Sequence, residues 1–288
     1  MKVLVACEES QAVCKAFRQK GHEAYSCDLQ ECSGEHPEWH IVGDCLPLLD
    51  GNCNFITEGG QWVHIDGKWD LLIAHPPCTY LTCSGERWFD TSKYGKTAEK
   101  RWRDRMEGAV FFMRFVSADC DHIAIENPVG VMGTAYRKSD QIVQPYEYGD
   151  AARKSTCLWL KGLPKLIPTK IVEPKLTQYK CKNGKTVTFS SDYGGSGGER
   201  SKRRSKTYPG IAEAMSSQWS EYIESQEEQE RFKLMCPVCG TDKHMSWQSD
   251  FTFDDLGRDG KGTVHFYECL SCGTSIEISV PENNEQLT

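Results

Sequence analysis

The sequence predicts an α/β protein: a doubly wound, mostly parallel sheet followed by a small C-terminal metal-binding domain. Two observations lead to this fold class. Short apolar runs alternate with helix-like stretches through residues 1–160, as in a sheet built from βαβ units. Near the C-terminus, two Cys-x-x-Cys pairs lie at a spacing typical of a metal site. Ligands of doubly wound sheets bind at the carboxyl ends of the strands, so we expect the functional residues there.

Each predicted element has its own pattern of apolar residues. Leu71-Leu72-Ile73 is an apolar run typical of a buried strand, and Gly21 ends the first helix. The second helix has residues at helical spacing, namely Met106, Val110, Met113 and Arg114. The predicted strands are 3–6, 23–27, 69–74, 122–125 and 157–160, and the predicted helices are 11–20 and 98–117.

Composition then divides the chain into domains. Residues 51–67 interrupt the βαβ pattern and predict a hairpin insertion, and residues 161–207, rich in Gly, Pro and Lys, predict an irregular insert. A last helix is expected from Ile211 to about residue 228, with an acidic, polar end that is typical of an exposed linker. The predicted boundaries are a main domain 1–222, a linker 223–233, the metal-binding domain 234–282 and a tail 283–288.

The composition is that of a globular, soluble protein. Of the 288 residues, 39% are hydrophobic and 26% charged, and no apolar stretch approaches the length of a membrane span. The chain starts directly on a strand-like run without the features of a signal peptide. We therefore expect a cytoplasmic protein with no membrane partner.

The net charge of −7 means that the surface as a whole does not attract nucleic acid, so a nucleic-acid enzyme would need a local basic patch. One candidate patch follows a glycine-rich segment at 193–198 that could wrap a phosphate backbone. A solvated loop is the alternative interpretation, and the sequence leaves both open. The basic residues of this run are Arg200, Lys202, Arg203, Arg204 and Lys206.

The two cysteine pairs predict a zinc ribbon. Cys236 and Cys239 form one pair and Cys269 and Cys272 the other, and each pair is followed by a glycine that lets the backbone turn back toward the sulfurs. Four thiolates make a closed tetrahedral zinc site, which is structural because no coordination position is left for water. His244 and His265 could each replace a cysteine, and a redox pair fits two such pairs poorly. The ribbon could contact nucleic acid or a partner.

Two residues at predicted strand ends are candidates for catalysis. Cys78 follows two prolines directly after the 69–74 strand, where a stiff loop would present a nucleophile. Glu126 follows the 122–125 strand, and a carboxylate at the tip of a buried strand is seldom needed for packing. Each residue alone has an ordinary explanation, a buried cysteine or a loop cap. Together, in this order, they favour a catalytic pair.

With these motifs the chain resembles the cytosine-5 DNA methyltransferases, especially the compact phage-borne kind. The resemblance covers about residues 1–220, with the motifs in the family's order. The family's nucleophile motif is matched by Asp70 and Pro77-Cys78 with Ser84-Gly85 after it, and its Glu-Asn motif by Glu126-Asn127. The remaining matches are Tyr25-Ser26-Cys27-Asp28, Gly43-Asp44, Tyr148-Gly149 with Arg153, and Tyr208-Pro209-Gly210-Ile211-Ala212.

The resemblance implies a Rossmann-like methyltransferase domain that acts on a cytosine flipped out of double-stranded DNA in a bacterial host cell. Cys78 would add to carbon 6 of the ring, and Glu126 would bind the ring nitrogen and the exocyclic amine. Arg153 would hold the base carbonyl, with Lys154 as a competitor for that role. The insert 161–207 would contact the target sequence.

The same resemblance implies S-adenosylmethionine as the methyl donor. Asp28 would bind its ribose hydroxyls, with Leu29 beside it, and Asp44 would lie near its adenine. Pro76 is also assigned to the cofactor site. The family's glycine-rich first motif is replaced by residues without glycine, whose two glutamates would face the cationic sulfonium and amino group. The cofactor residues expected in this stretch are Cys7, Glu8, Glu9 and Ser10.

Three other functions remain open at this stage. An amino-methyltransferase has an Asp-, Asn- or Ser-Pro-Pro-aromatic motif, of which His75-Pro76-Pro77-Cys78 retains only the prolines. Related covalent chemistry with another one-carbon donor or with RNA would use the same Cys78 and Glu126. A non-catalytic, DNA-binding zinc-ribbon protein on a degenerate methyltransferase scaffold would explain the missing glycines.

Overall fold

A computed structural model of the chain describes residues 1–180, 184, 186–190, 205–231, 236–240 and 245–281. The chain divides into two compact units, Met1–Ile223 and Glu224–Thr288. The first contains a seven-stranded sheet with helices, and the second contains a three-stranded sheet and the four cysteines of the two pairs. The α/β expectation is therefore confirmed.

Five adjacent strands of the main sheet are parallel. The two remaining strands lie at one side of the sheet and pair antiparallel with their neighbours. The strands are β1 (Lys2–Ala6), β2 (Glu23–Asp28), β3 (His40–Val42), β6 (Leu71–Ala74), β7 (Ile123–Pro128), β8 (Gln141–Val143) and β9 (Thr156–Lys161). Their spatial order is β3-β2-β1-β6-β7-β9-β8, and β9 runs antiparallel to both of its neighbours. The strand order reverses between β1 and β6, and ligands of doubly wound sheets bind at this switch point.

Helices cover both faces of the main sheet, and a buried apolar cluster lies on each face. The helices are α1 (Ala12–Gln19), α2 (Thr91–Tyr94), α3 (Lys96–Val116), α4 (Met132–Ala135) and α5 (Pro209–Arg231). On one face Phe112 of α3 packs with Trp159, and on the other Phe17 of α1 and Trp219 of α5 belong to a second buried cluster. None of the helices described is long and apolar enough to cross a membrane.

The buried face of α3 differs from the one that the sequence pattern indicates. The helix itself was predicted, but Met106 and Val110 are exposed on its outer side. The helix is instead buried through Ala98, Phe112 and Phe115, together with an arginine, Arg105. The burial of a charged residue explains the error, because hydrophobic periodicity cannot identify a buried arginine.

Two insertions form antiparallel hairpins. The first, β4 (Cys53–Ile56) with β5 (Trp62–Ile65), confirms the hairpin predicted at 51–67. The second, β10 (Leu176–Lys180) with β11 (Thr186–Ser190), corrects the expectation that 161–207 is irregular. β-branched and aromatic residues in both strands favour this pairing, and Gly and Lys around them concealed the pattern. Arg200 to Arg204 lie outside the described residues.

The segment expected as a linker at 223–233 is helical through Arg231, because α5 continues to that residue. Its glutamate and glutamine residues are good helix formers, so a polar run without glycine or proline extends the helix. The second unit contains β12 (Met245–Thr252), β13 (Gly262–Cys269) and β14 (Ser275–Pro281), which pair antiparallel in chain order. The predicted tail at 283–288 lies outside the described residues.

Candidate active site and metal centre

Cys78 lies on the loop that follows β6. Glu126 lies within the adjacent parallel strand β7, opposite Leu158 of β9, and not after the strand as the sequence predicted, because β7 continues to Pro128. Strand β6 pairs with β1 on its other side, so the Cys78 loop begins at the switch point of the sheet. Cys78 is exposed, and its backbone carbonyl accepts bonds from the amides of Leu81 and Thr82 at 3.0 Å each. The loop therefore turns tightly just after the cysteine and leaves the thiol accessible.

Polar and backbone hydrogen bonds connect the Cys78 loop to the end of β7 and the loop that follows it. Asn127 is buried, and its side-chain amide donates to the carbonyl of Pro76 at 2.8 Å. Further along, the amide of Val131 donates to the carbonyl of Leu81 at 2.8 Å. Gly130 passes so close that a Cβ built there would lie 2.0 Å from the Leu81 oxygen. The position of Cys78 is thus tied to the position of Glu126.

A buried arginine on α3 holds the segment after the nucleophile loop. Arg105 donates to both carboxylate oxygens of Glu86, at 3.1 and 2.8 Å, and to the carbonyl of Tyr80 at 2.8 Å. Its guanidinium also lies over the Phe89 ring, 3.4 Å from the centroid. The pairing with Arg105 keeps the pKa of Glu86 below its usual value. Through these contacts Arg105 restrains the segment that follows Cys78.

Glu126 has a largely buried side chain, 16% exposed, with His75 in contact and the charge of Lys154 acting on it. Burial raises its pKa, but a hydrogen bond from His75 and the positive charge of Lys154 outweigh that effect and hold the pKa below its usual value. Lys154 therefore acts on Glu126 electrostatically, whereas Arg153 is exposed and its backbone amide donates to the hydroxyl of Ser190 at 3.2 Å. Of the two candidates for holding the base carbonyl, Lys154 is the one whose positive charge lowers the pKa of Glu126.

His75 is a site residue whose role the sequence did not reveal. Its backbone amide donates to Ala6 at 2.9 Å, and its Nδ1 lies 3.4 Å from Oε2 of Glu126. The side chain is only 8% exposed. In the sequence the residue was visible only as an unusual neighbour of the two prolines.

The glycine-less turn after β1 adopts glycine-like backbone conformations. Cys7 has φ 60° and Gln11 has φ 55°, both in the left-handed region that disfavours a Cβ. The buried Gln11 side chain anchors the turn, accepting from the amide of His36 at 3.1 Å and donating to its carbonyl at 2.8 Å. The Cys7 sulfur lies 3.9 Å from that of Cys45, whose hydrogen bond, together with burial, raises the pKa of Cys7.

The two glutamates of this turn have different environments. Glu8 is buried, and its carboxylate oxygens accept from the amides of Val13 and Cys14 at the start of α1, at 2.7 and 3.1 Å. Burial raises the pKa of Glu8 above its usual value. Its carboxylate is thus occupied by the helix rather than presented to a ligand. In contrast, Oε2 of Glu9 is buried and has no hydrogen-bond partner among the described residues.

A cavity of about 840 Å³ lies beside this turn, between α1 and the start of α5. Pockets for small molecules are typically about 300–1,000 Å³. Ser10 lines it, and so do three lysines, Lys15, Lys154 and Lys206. The amine of Lys206, the only member of the basic run at 200–206 that is described, donates to Ser33 at 3.0 Å. Glu213 also lines the cavity and pairs with Lys20, so the three lysines outnumber the acidic residues of the lining and make the cavity suitable for an anionic group.

The residues expected to bind the donor's nucleoside lie at the ends of β2 and β3. Asp28 ends β2, and its Oδ1 accepts from the amide of Gln30 at 3.0 Å. Leu29, beside it, is 78% exposed. Asp44 is exposed, and its Oδ1 accepts from the amide of Leu46 at 3.0 Å. An acid and an exposed apolar side chain therefore lie side by side at this sheet edge.

The second unit contains a metal-binding cluster. The four sulfurs of Cys236, Cys239, Cys269 and Cys272 lie within 4.8 Å of one another, and two pairs are 3.5 Å apart. Sulfurs about 2.3 Å from a tetrahedral zinc ion would lie about 3.8 Å apart, so the cluster could hold such an ion. The alternative ligand His265 bonds Asp250 instead, at 2.6 Å, and His244 lies outside the described residues.

The two knuckles of the cluster have the same turn. Gly240 and Gly273 both have φ 69°, and their amides donate to Cys236 and Cys269 at 2.8 and 2.7 Å. The backbone amide of Cys239 is the main cause that lowers the pKa of Cys236, to about 6. The hydroxyl and amide of Thr274 likewise lower the pKa of Cys272. Thiolates, the form that binds metal, are thereby favoured.

Comparison with known proteins adds no assignment to this geometry. No protein-family model matches the chain, and no curated protein matches it significantly.

Proposed function

We propose that the protein transfers a methyl group to carbon 5 of cytosine in DNA, with Cys78 as the nucleophile. The observation that supports this most strongly is the combination of an exposed cysteine on the loop after β6 with a largely buried carboxylate on the adjacent strand β7, which the Asn127–Pro76 bond connects. Covalent pyrimidine chemistry needs both groups at the same base, because the sulfur adds to carbon 6 while the carboxylate binds the edge with N3 and the exocyclic amine.

Cys78 would activate the base by addition. Its sulfur forms a bond to carbon 6, the C5–C6 π pair moves to C4–C5, and the C4–N3 π pair moves to N3, which takes a proton. Carbon 5 is then the nucleophilic end of an enamine. After carbon 5 is substituted, loss of its proton and departure of the Cys78 thiolate restore the aromatic ring.

Glu126 would bind the edge of the base that carries N3 and the exocyclic amine. A buried carboxylate hydrogen-bonded to that edge stabilises the added ring more than the free base, which is the requirement for catalysis. Lys154 would balance the charge of Glu126 and is the better candidate for the base carbonyl, in place of or together with Arg153. A cytosine can reach these groups only outside the helix, so the substrate would be a flipped base.

The residues of the first unit fit S-adenosylmethionine as the donor, which when bound supplies an electrophilic methyl group. The unpartnered Oε2 of Glu9 suits the donor's amino group, and the lysine-lined cavity beside Ser10 suits its carboxylate. Asp28 would bind the ribose hydroxyls, with the exposed Leu29 against the adenine. Glu8 is left out of this set, because its carboxylate caps α1.

For the cysteine cluster we propose a structural zinc ion. Four sulfur ligands form a closed site, which stabilises a small sheet but leaves no position for a reacting water. Unit Glu224–Thr288 has few other means of stabilisation, because only Cys236, Val264 and Cys269 are fully buried apolar residues among those described there.

The activity is tested by incubating the protein with S-adenosylmethionine carrying a deuterated methyl group and with DNA of mixed sequence. The nucleosides are then analysed by mass spectrometry. We expect labelled 5-methylcytosine from the wild type and from Cys83→Ala, a matched exposed cysteine, but none from Cys78→Ala. Labelled N4-methylcytosine would instead support the amino-methyltransferase, and the absence of any labelled base would contradict the proposal.

A further inference from the structure

The imidazole of His75 contacts the Glu126 carboxylate through one nitrogen, and its other nitrogen has no hydrogen-bond partner among the described residues. Nδ1 is 3.4 Å from Oε2 of Glu126, and the carboxylate of Glu8 is close enough for the two groups to influence each other's charge. Nε2 is buried and makes no hydrogen bond to any described residue. A buried polar atom of this kind needs an explanation, and functional sites are a common one.

The proposed chemistry creates a specific need that this arrangement meets. Ring nitrogen N3 must take up a proton as the sulfur adds to carbon 6, yet the pKa of Glu126 is held below its usual value by its neighbours. An ionised carboxylate can accept a hydrogen bond from the exocyclic amine, but it has no proton to give to N3. A group in contact with Glu126 can supply this proton without the entry of solvent.

We propose that His75 is a positioning residue that stores this proton and passes it to Glu126 when the base is bound. This inference rests on the proposed function. For this role the imidazole must carry protons on both nitrogens in the free protein, with Nδ1 facing Oε2 of Glu126. As the base binds, the Nδ1 proton moves to Oε2 of Glu126 and the N–H bonding pair stays on the ring, which becomes neutral with its remaining proton on Nε2. Glu126 then donates the proton to N3 during addition.

At the end of the reaction His75 carries the same protons as at the start. When the Cys78 thiolate leaves, N3 returns its proton through Glu126 to Nδ1, and the proton released to solvent is the one lost from carbon 5. The charged and titratable groups around this relay are Glu126 on β7, Glu8 after β1, Lys154 before β9 and Cys78 on the same loop as His75. Histidine suits the task because its ordinary pKa lies within about one unit of neutral pH.

The storage step can be tested without any activity. The titration of the imidazoles is followed by nitrogen-15 NMR on the full-length, zinc-loaded protein labelled at histidine, and His75 is assigned from the signals missing in His75→Asn. We expect Glu126→Gln to lower the titration midpoint of His75 by about one pH unit, because the anionic partner is removed. An unchanged midpoint would overturn the proposal, whether or not the protein methylates DNA.

The transfer step is tested by the pH profile of adduct formation between Cys78 and DNA that contains 5-fluorocytosine. Asparagine keeps an N–H donor for Glu126 but does not titrate, so His75→Asn should bind DNA normally and form the adduct about tenfold more slowly or worse at pH 7. The loss of rate as pH rises through the His75 midpoint should also disappear. His122→Asn is the control, since His122 bonds the carbonyl of Asp70 outside the site.

The outcomes separate the two proposals. A wild-type rate and pH profile in His75→Asn would show that His75 only fills space, and would overturn this inference while leaving the proposed function intact. If the wild type itself forms no adduct, the proposed function fails together with the transfer step, and the NMR titration still decides whether His75 and Glu126 share a proton in the free protein.

Discussion

The side-chain amide of Asn127 donates to the backbone carbonyl of Pro76 across the boundary between strands β7 and β6. Asn127 is 1% exposed, so breaking this bond would leave a buried polar group unpaired, which costs about 1–3 kcal/mol. The residue that follows Glu126 thus fixes the residue two before Cys78. Because of this bond, the Cys78 loop and the end of β7 that carries Glu126 are held in one geometry rather than positioned independently.

The close approach of Gly130 to Leu81 should be necessary for that geometry. In Gly130→Ala the new Cβ would meet the Leu81 carbonyl at 2.0 Å, so one of the loops must move. We expect a loss of about 1–3 kcal/mol in the free energy of unfolding and at least a tenfold loss in adduct formation. Gly133→Ala is the matched control, because a Cβ at Gly133 meets nothing within 4 Å. Equal behaviour of the two variants in denaturant titrations and adduct assays would contradict this account of the loops.

The positive charge beside Glu126 should come from Lys154 rather than Arg153. Lys154→Met removes the cation that we propose to hold the base carbonyl, so we expect the rate of adduct formation to fall by about tenfold or more. Arg153→Met removes an equal charge from the neighbouring position and should have a smaller effect. Single-turnover assays on both variants measure the difference. A larger loss in Arg153→Met would restore the role that the sequence resemblance gave to Arg153.

Burial of Glu8 should make stability depend on pH. Burial raises its pKa above the usual 4.5, so in the pH range above 4.5 the folded protein holds a proton that the unfolded chain releases. The contribution of Glu8 to stability is therefore fully present below about pH 4.5 and is lost as pH rises through the folded pKa. Glu8→Gln should remove this loss, because glutamine does not titrate.

Urea unfolding of the wild type and Glu8→Gln at several pH values from 4 to 8 measures this effect, with the exposed Glu31→Gln as the control. Glu126 has its pKa shifted in the opposite direction, but it is present in all three proteins and cancels in the comparison. The same pH slope in Glu8→Gln and the wild type would show that Glu8 has an ordinary pKa.

Much of the fold could be predicted from the sequence because its signals are local. The run at Leu71–Ala74 and the turn at Gly21 mark a strand and a helix end without reference to other residues. Strand β8 was not predicted, because its three residues carry too little periodicity. The hairpin β10–β11 was missed because lysines and glycines around it resemble a loop.

The site was only partly predictable, since its key contacts join distant residues. Cys78 stands out by its position after a buried strand and Glu126 as a carboxylate near the end of another, but the contacts of His75 and Asn127 span 51 residues of sequence each. Glu8 illustrates the opposite problem. Its place in a cofactor motif indicated a ligand, and only the structure reveals that its carboxylate accepts the first amides of α1.

The cysteine cluster should bind one zinc ion per chain. Cys236→Ser should abolish stoichiometric zinc, and Cys83→Ser, an exposed cysteine outside the cluster, should retain it. Because its four ligands bind zinc as thiolates, the cluster should hold zinc at pH 7 and lose it on acidification, when protons compete for the sulfurs. Metal analysis after dialysis at each pH measures this. Full zinc content in Cys236→Ser would contradict the assignment of the ligands.

The most direct test of the central claim is a covalent trap. The protein is incubated with S-adenosylmethionine and duplex DNA in which 5-fluorocytosine replaces cytosine, and denaturation-resistant adducts are measured by gel and mass spectrometry. Fluorine at carbon 5 cannot leave as a proton does, so the Cys78–carbon 6 bond should persist after methyl transfer. We predict an adduct that carries one added methyl group, maps to Cys78 and is absent in Cys78→Ala. No adduct from the folded, zinc-loaded protein, or an adduct on another residue, would contradict the account.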